Sequence, residues 1–157
     1  MQQYKRPEAI KRMNELAGSR KPFLFIIDYK QQYSLIEEVS RIDSTCCRYN
    51  FNGVENVDTS TGRYNGQIDW NFTPMALEDY QKAFDIVKRN ILAGNSYLAN
   101  LTCKVPVSTD LTLEDVFRYS KALYKLWLKD KLVCFSPEIF VRIENGEIRS
   151  FPMKGTI

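Results

Sequence analysis

The sequence predicts an α+β fold, a mostly antiparallel sheet with packed helices. Three observations carry that expectation. Residues 74–93 repeat apolar side chains at three- and four-residue steps, the spacing of one helical face. Residues 138–151 alternate apolar and polar positions about an Asn145-Gly146 pair, the signature of a two-residue hairpin. The remaining apolar runs have strand length and end at turn formers, so helices alternate with strands that fold back on themselves. A chain of 157 residues, 44% of them hydrophobic, can build one core.

The first helix starts at Pro7, whose fixed φ suits a first turn. It sets Ile10, Met13 and Ala17 on one face, and Gly18 offers a stop. The run "PFLFIIDY" (22–29) reads as a strand, and Cys46 to Phe51 with Asn52-Gly53 behind it as a strand and turn. Residues 57–71, rich in Asp, Thr, Gly and Asn, read as an irregular loop. The helix over 74–93 carries Leu77, Tyr80, Phe84, Val87 and Ile91 as its stripe, with Thr73 as N-cap and Gly94 as the left-handed stop. "SYLANLTCKVPV" (96–107) reads as a strand. A second amphipathic helix begins near Thr112, placed to cap the amide of Asp115, and runs through Val116 and Leu123 toward Tyr124. A strand ending at Ser136-Pro137 and the Asn145-Gly146 hairpin complete the order.

Composition excludes several classes. Twenty-two Lys and Arg against 19 Asp and Glu leave a net charge of +3, and no like-charge run forms a basic arm or acidic tail. Nine Tyr and nine Phe argue for an ordered fold. They alternate with other apolar residues instead of interleaving with Lys and Arg, so no nucleic-acid partner is expected. Cys46, Cys47, Cys103 and Cys134 form no C-x-x-C pair, and the chain has no histidine, which argues against a zinc site or a Cys-His nucleophile. The amino terminus is too charged for a secretory signal, and no apolar run reaches the ~18 residues of a membrane helix. The expectation is a cytoplasmic protein with reduced thiols and no membrane contact.

The chemistry sits beside the hairpin. A two-residue turn at 145 and 146 puts Glu144 opposite Glu147, and Glu138 then falls opposite Met153, one step from Lys154. A carboxylate and an amine 16 residues apart in sequence thus reach the same open end. In a regular ladder their side chains would lie on opposite faces, so no simple salt bridge is expected. Pro152 cannot donate to the ladder and is suited to end it, which frees Lys154 to be re-aimed. Taken singly, a Glu after Ser-Pro is most often a solvated strand end and a Lys before Gly a surface turn.

Three ordered blocks, "ILAGNSYLANLT" (91–102), "FSPEIFVRI" (135–143) and "GEIRSFPMKGTI" (146–157), resemble the first half of the chorismate-binding domain shared by anthranilate, isochorismate, salicylate and aminodeoxychorismate synthases. On that resemblance, residues 1–72 correspond to a short variable amino-terminal region and 73–157 to the first part of the domain. Lys154 stands before Gly-Thr, where most branches carry Ala and component I of aminodeoxychorismate synthase carries Lys. Leu98 occupies the position of the lysine base of isochorismate and salicylate synthases, and other branches often have Gln there.

The resemblance implies that Lys154 attacks C2 of chorismate as the C4 hydroxyl departs, and that ammonia then gives 4-amino-4-deoxychorismate, a step of folate biosynthesis. A lysine near its ordinary pKa of about 10.4 is protonated and a poor nucleophile, so its site must depress that value. Glu138 matches the proposed general acid, which needs a raised pKa. Gly155 and Thr156 would line the substrate pocket. The family uses Mg²⁺, whose ligands are expected in a carboxyl-terminal half beyond Ile157. The implied partners are chorismate and a glutamine amidotransferase subunit supplying ammonia. The chain alone is expected to be inactive, with self-association through uncovered apolar faces. The alternatives are a noncatalytic assembly half-domain or an anthranilate synthase component I with an unusual lysine.

Overall fold

A computed structural model describes residues 1–57, 64–136 and 139–151. In chain order its first half comprises β1 (Gln2–Lys5), α1 (Arg6–Gly18), β2 (Phe23–Ile27), β3 (Tyr33–Glu38), β4 (Cys47–Phe51), β5 (Val54–Glu55) and β6 (Trp70–Phe72). The rest comprises α2 (Leu77–Leu92), β7 (Val107–Thr109), α3 (Leu113–Tyr119), β8 (Tyr124–Leu128), β9 (Leu132–Ser136), β10 (Val141–Glu144) and β11 (Glu147–Ser150). Every strand pairing among the described residues is antiparallel, and the class is α+β. The chain divides into two compact units, residues 1–64 with 113–157, and residues 65–112.

In the first unit, β1, β3 and β2 form a three-stranded sheet in that order, with α1 packed on β3. Ala9 and Leu16 of α1 are buried against Ile36, and Tyr4, Met13 and Phe23 close around them. Ile10 is half exposed and Ala17 exposed, so the inward stripe is turned by about one residue from the expected face. The turned face brings Arg12 within 3.5 Å of Glu38, which Lys21 also reaches at 3.2 Å. The helix ends at Gly18, as expected, but Gly18 is not left-handed. The left-handed residue is Arg20 (φ 53°), where the amides of Arg20 and Lys21 close back onto Ala17 O and Leu16 O at 2.9 Å.

The same unit holds a four-stranded sheet in the order β5-β4-β8-β9, with α3 against β8 and β9. Asn52 and Gly53 take positive φ (54° and 92°) between β4 and β5, the turn the sequence predicts. The helix expected to run toward Tyr124 stops at Tyr119, and β8 occupies 124–128 instead. Pairing of Tyr124–Leu128 with both β4 and β9 satisfies those backbone groups in a ladder and overrides the helical spacing of Val116 and Leu123.

In the second unit, β6 pairs β7 and α2 lies between them in sequence. Residues 57–71 were expected to be irregular throughout, yet Trp70 and Asn71 belong to β6. Thr73 is not the N-cap. Its amide donates to Pro106 O at 3.0 Å, continuing the ladder, and the proline that follows biases it toward extended backbone. The helix therefore starts at Leu77 with Ala76 as N-cap. Gly94 (φ 74°) ends it as expected, with Gly94 and Asn95 amides returning to Ile91 O and Asn90 O. The strand expected over 96–107 is reduced to Val107 at its end. A strand needs a partner ladder, and among the described residues 96–105 are placed in none, while Pro106 joins the end of the β6–β7 ladder through its carbonyl.

Candidate functional site

The hairpin of β10 and β11 frames the predicted site. Asn145 (φ 54°) and Gly146 (φ 79°) form the two-residue turn with both central φ positive. The register is the one the turn dictates: Val141 opposite Ser150, Arg142 opposite Arg149, Ile143 opposite Ile148 and Glu144 opposite Glu147. The Phe151 amide donates to Phe140 O at 3.0 Å, carrying the pairing one residue further. Glu138, Lys154, Gly155 and Thr156 all lie outside the described residues. The paired residues Phe140 and Phe151 stand two positions after Glu138 and three before Lys154.

The hairpin is two-faced. Val141, Ile143 and Ile148 share one face, while Arg142, Glu144, Glu147 and Arg149 share the other. On the charged face Arg142 pairs with Glu144 at 3.0 Å and Arg149 with Glu147 at 2.7 Å, each within its own strand. Leu98, in the other unit, is 75% exposed, and its carbonyl accepts a bond from Ser96 Oγ at 2.7 Å.

The structure also holds a polar centre that the sequence reading missed. Lys125 is 4% exposed, and its Nζ donates to Phe117 O at 3.0 Å and Ser120 O at 3.1 Å, lying 5.0 Å from the Phe117 ring centroid. Burial holds its pKa below the ordinary lysine value, and the field of Glu55 opposes that shift. The signal was period two: in "YKLWL", Lys125 and Trp127 fall on one face, and Trp127 is a core residue. Beside it, Arg48 lies 5.0 Å from the Trp127 ring centroid, donates to Ser44 O at 2.8 Å and pairs with Glu114 at the start of α3.

Other sources of chemistry are sparse. Burial pushes the Cys47 thiol up to about 11, which makes it a poor nucleophile. Two clefts of ≈ 330 and ≈ 250 Å³ share Leu35, Leu128 and Lys131 as walls, and no residue of the hairpin lines either. Among the described residues no three His, Cys, Asp or Glu side chains gather into a metal site. The magnesium implied by the resemblance finds no fitting donor set there. No helix among the described residues is long and apolar enough to cross a membrane.

Residues 3–157 match the family described as chorismate binding enzyme. An uncharacterized PabA-like protein of Pasteurella multocida is 37% identical over 148 residues, covering 94% of this chain and 46% of that protein. An uncharacterized PabA-like protein of Haemophilus influenzae is 39% identical over 150 residues, 94% of this chain and 44% of the other. The chain thus spans about half the length of these curated relatives. No solved structure matches it significantly.

Proposed function

The chain belongs to the chorismate binding enzyme family, and from that premise we propose that it contributes the nucleophile and the general acid of a 4-amino-4-deoxychorismate synthase. The observation that carries the reading is the hairpin register. It runs unbroken to the Phe140–Phe151 pair, so the segments bearing Glu138 and Lys154 leave the same end of one ladder. The Lys154-Gly155-Thr156 sequence supports the amination branch over those with Ala before Gly-Thr.

In this reading neutral Lys154 Nζ forms a bond to C2 of chorismate. The two ring double bonds shift, the C4–O bond breaks, and Glu138 donates the proton with which the hydroxyl leaves as water. Ammonia then bonds to C4, the double bonds shift back, the C2–N bond breaks, and the amine of Lys154 is released. No oxidant or reductant is needed. A glutamine amidotransferase subunit is the proposed ammonia source. Gly155 lets backbone approach the substrate, and Thr156 supplies a hydroxyl beside it.

The test uses the chain joined to the segment that covers the rest of its relatives' length, incubated with chorismate, Mg²⁺ and ammonium. The expected product retains the enolpyruvyl group, and Lys154→Ala strongly reduces its formation. Fluorescent anthranilate with loss of pyruvate would point to the anthranilate branch, and turnover indifferent to Lys154→Ala would remove the nucleophile assignment. A noncatalytic assembly role is the competing reading, favoured by the apolar stripe of α2, where Leu77 is 78% exposed and Tyr80 and Phe84 are also exposed. Absence of any chorismate turnover in the joined protein would select it.

A further inference from the structure

We propose that the outer edge of β10 pairs with the β10 edge of a second copy of this chain, antiparallel about a two-fold axis at Ile143, so that two hairpins join into one four-stranded sheet. Among the described residues β10 and β11 form a sheet of their own, with no strand on either outer edge. A two-stranded ribbon alone is marginal in water, and an open edge is a template for another chain. The register fixes which backbone groups face out. The Phe151 amide donates to Phe140 O, which makes Phe140–Phe151 a hydrogen-bonded pair. The alternation of an antiparallel ladder then turns Arg142 and Glu144 inward to β11 and leaves the N–H and C=O of Val141 and Ile143 on the outer edge.

Charge selects the occupant and its register. Inside the hairpin Arg142 opposes Arg149 and Glu144 opposes Glu147. Across a two-fold axis at Ile143 the signs alternate instead: Arg142 falls opposite Glu144 of the second copy, and Glu144 opposite its Arg142. Both are non-hydrogen-bonded positions, where facing side chains approach most closely. An axis at Arg142 or at Glu144 would set like charges face to face at its centre. The Arg142-Ile143-Glu144 triplet is thus its own complement, as an isologous contact requires. The apolar face gains as well. Ile143 and Ile148 are 73% and 72% exposed, and the pairing continues Ile148 and Ile143 of one hairpin into Ile143 and Ile148 of the next as a single row. The β11 edge fits less well, because it carries Ser150 beside Ile148 where β10 carries Val141 beside Ile143.

A charge-swap mixture tests the pairing on the 157-residue chain. R142E and E144R each set like charges across the axis twice, and each alone should weaken self-association roughly 10-fold in sedimentation equilibrium. Each also relieves a like-charged pair inside the hairpin, against Arg149 or Glu147, so loss of the hairpin itself would not account for the result. Mixed one to one, the two variants should recover association to within about threefold of the parent chain, because every charge again faces its opposite. The unsubstituted chain supplies a second readout should a variant fail to fold. Its Ile143 amide, on the outer edge, should gain hydrogen-exchange protection as concentration rises, while the Arg142 amide, bonded to β11, stays protected throughout. A parent chain that remains monomeric at its highest soluble concentration overturns the inference. So does association that the swaps leave unchanged, that the mixture fails to restore, or that responds to E147R and R149E in their place. Protection of Ile143 that appears only when the segment covering the rest of the relatives' length is joined gives the edge to that segment and overturns the inference too.

Discussion

Truncating Phe117 should bring the first unit close to its stability limit. The side chain is 1% exposed and is among the largest fully buried ones, and its ring lies 5.0 Å beneath Lys125 Nζ. Core Phe→Ala changes cost about 3–5 kcal/mol through lost transfer energy and the cavity left behind. A desolvated cation over the ring adds up to about 2 kcal/mol. The combined loss of roughly 4–6 kcal/mol is comparable to the lower end of the ~5–15 kcal/mol that holds an ordinary domain together. With a urea slope of about 2 kcal/mol/M, the unfolding midpoint of Phe117→Ala falls by roughly 2–3 M. Trp127, 4% exposed in the same unit, reports the transition by fluorescence, and replacing the half-exposed Trp70 of the other unit by Phe isolates that signal. Phe117→Leu should lose far less, about 1–1.5 kcal/mol. A midpoint shift below roughly 0.5 M for the alanine variant would refute the claim that this ring anchors the unit.

Three further outcomes follow from the same structure. Arg20→Gly should stabilise the first unit by roughly 0.5–1 kcal/mol in urea titration, since relief of a left-handed non-glycine residue (about 1–2 kcal/mol) outweighs the added glycine entropy (about 0.5–1 kcal/mol); a lower midpoint would contradict it. The Tyr33 amide at 2.8 Å, helped by that of Gln32, holds the Asp28 carboxyl below its ordinary 3.8, so its stabilisation is present above that pH and is lost as pH falls through the folded value. Asp28→Asn should flatten that part of the acid-unfolding curve, and a curve unchanged in shape would count against the turn. Because Lys125 sits below its ordinary 10.5, the unfolded chain binds more protons between the two values, so stability should rise as pH climbs through that window and K125M should abolish the rise; urea midpoints across alkaline pH measure it.

The elements legible in the sequence were those written locally. Asn145-Gly146 and Asn52-Gly53 state their turns outright, and the stripe of α2 with Gly94 behind it states a helix and its end. What stayed hidden depends on partners distant in sequence. β1 and β3 pair with each other across α1, and β8 is a strand because β4 and β9 flank it, although Leu123 and Tyr124 continue a helical spacing from Val116. Thr73 looked like a cap because nothing local reveals that Pro106 O claims its amide. The catalytic candidates came from motif resemblance, with the hairpin supplying only their common direction. Lys125 was overlooked because a lysine reads as surface until period two places it beside Trp127.

The charged face of the β10–β11 hairpin sets Arg142 against Arg149 and Glu144 against Glu147, and each like-charged pair opposes the register by a few tenths of a kcal/mol. Sliding one strand by two residues would bring arginine opposite glutamate and keep the apolar face intact. The cross-strand charges therefore do not select this register; the left-handed Asn145-Gly146 turn and the Ile143–Ile148 pairing do. That turn acts as a ruler: a two-residue slip would offset the Phe140 end of one strand from the Phe151 end of the other by roughly 7 Å.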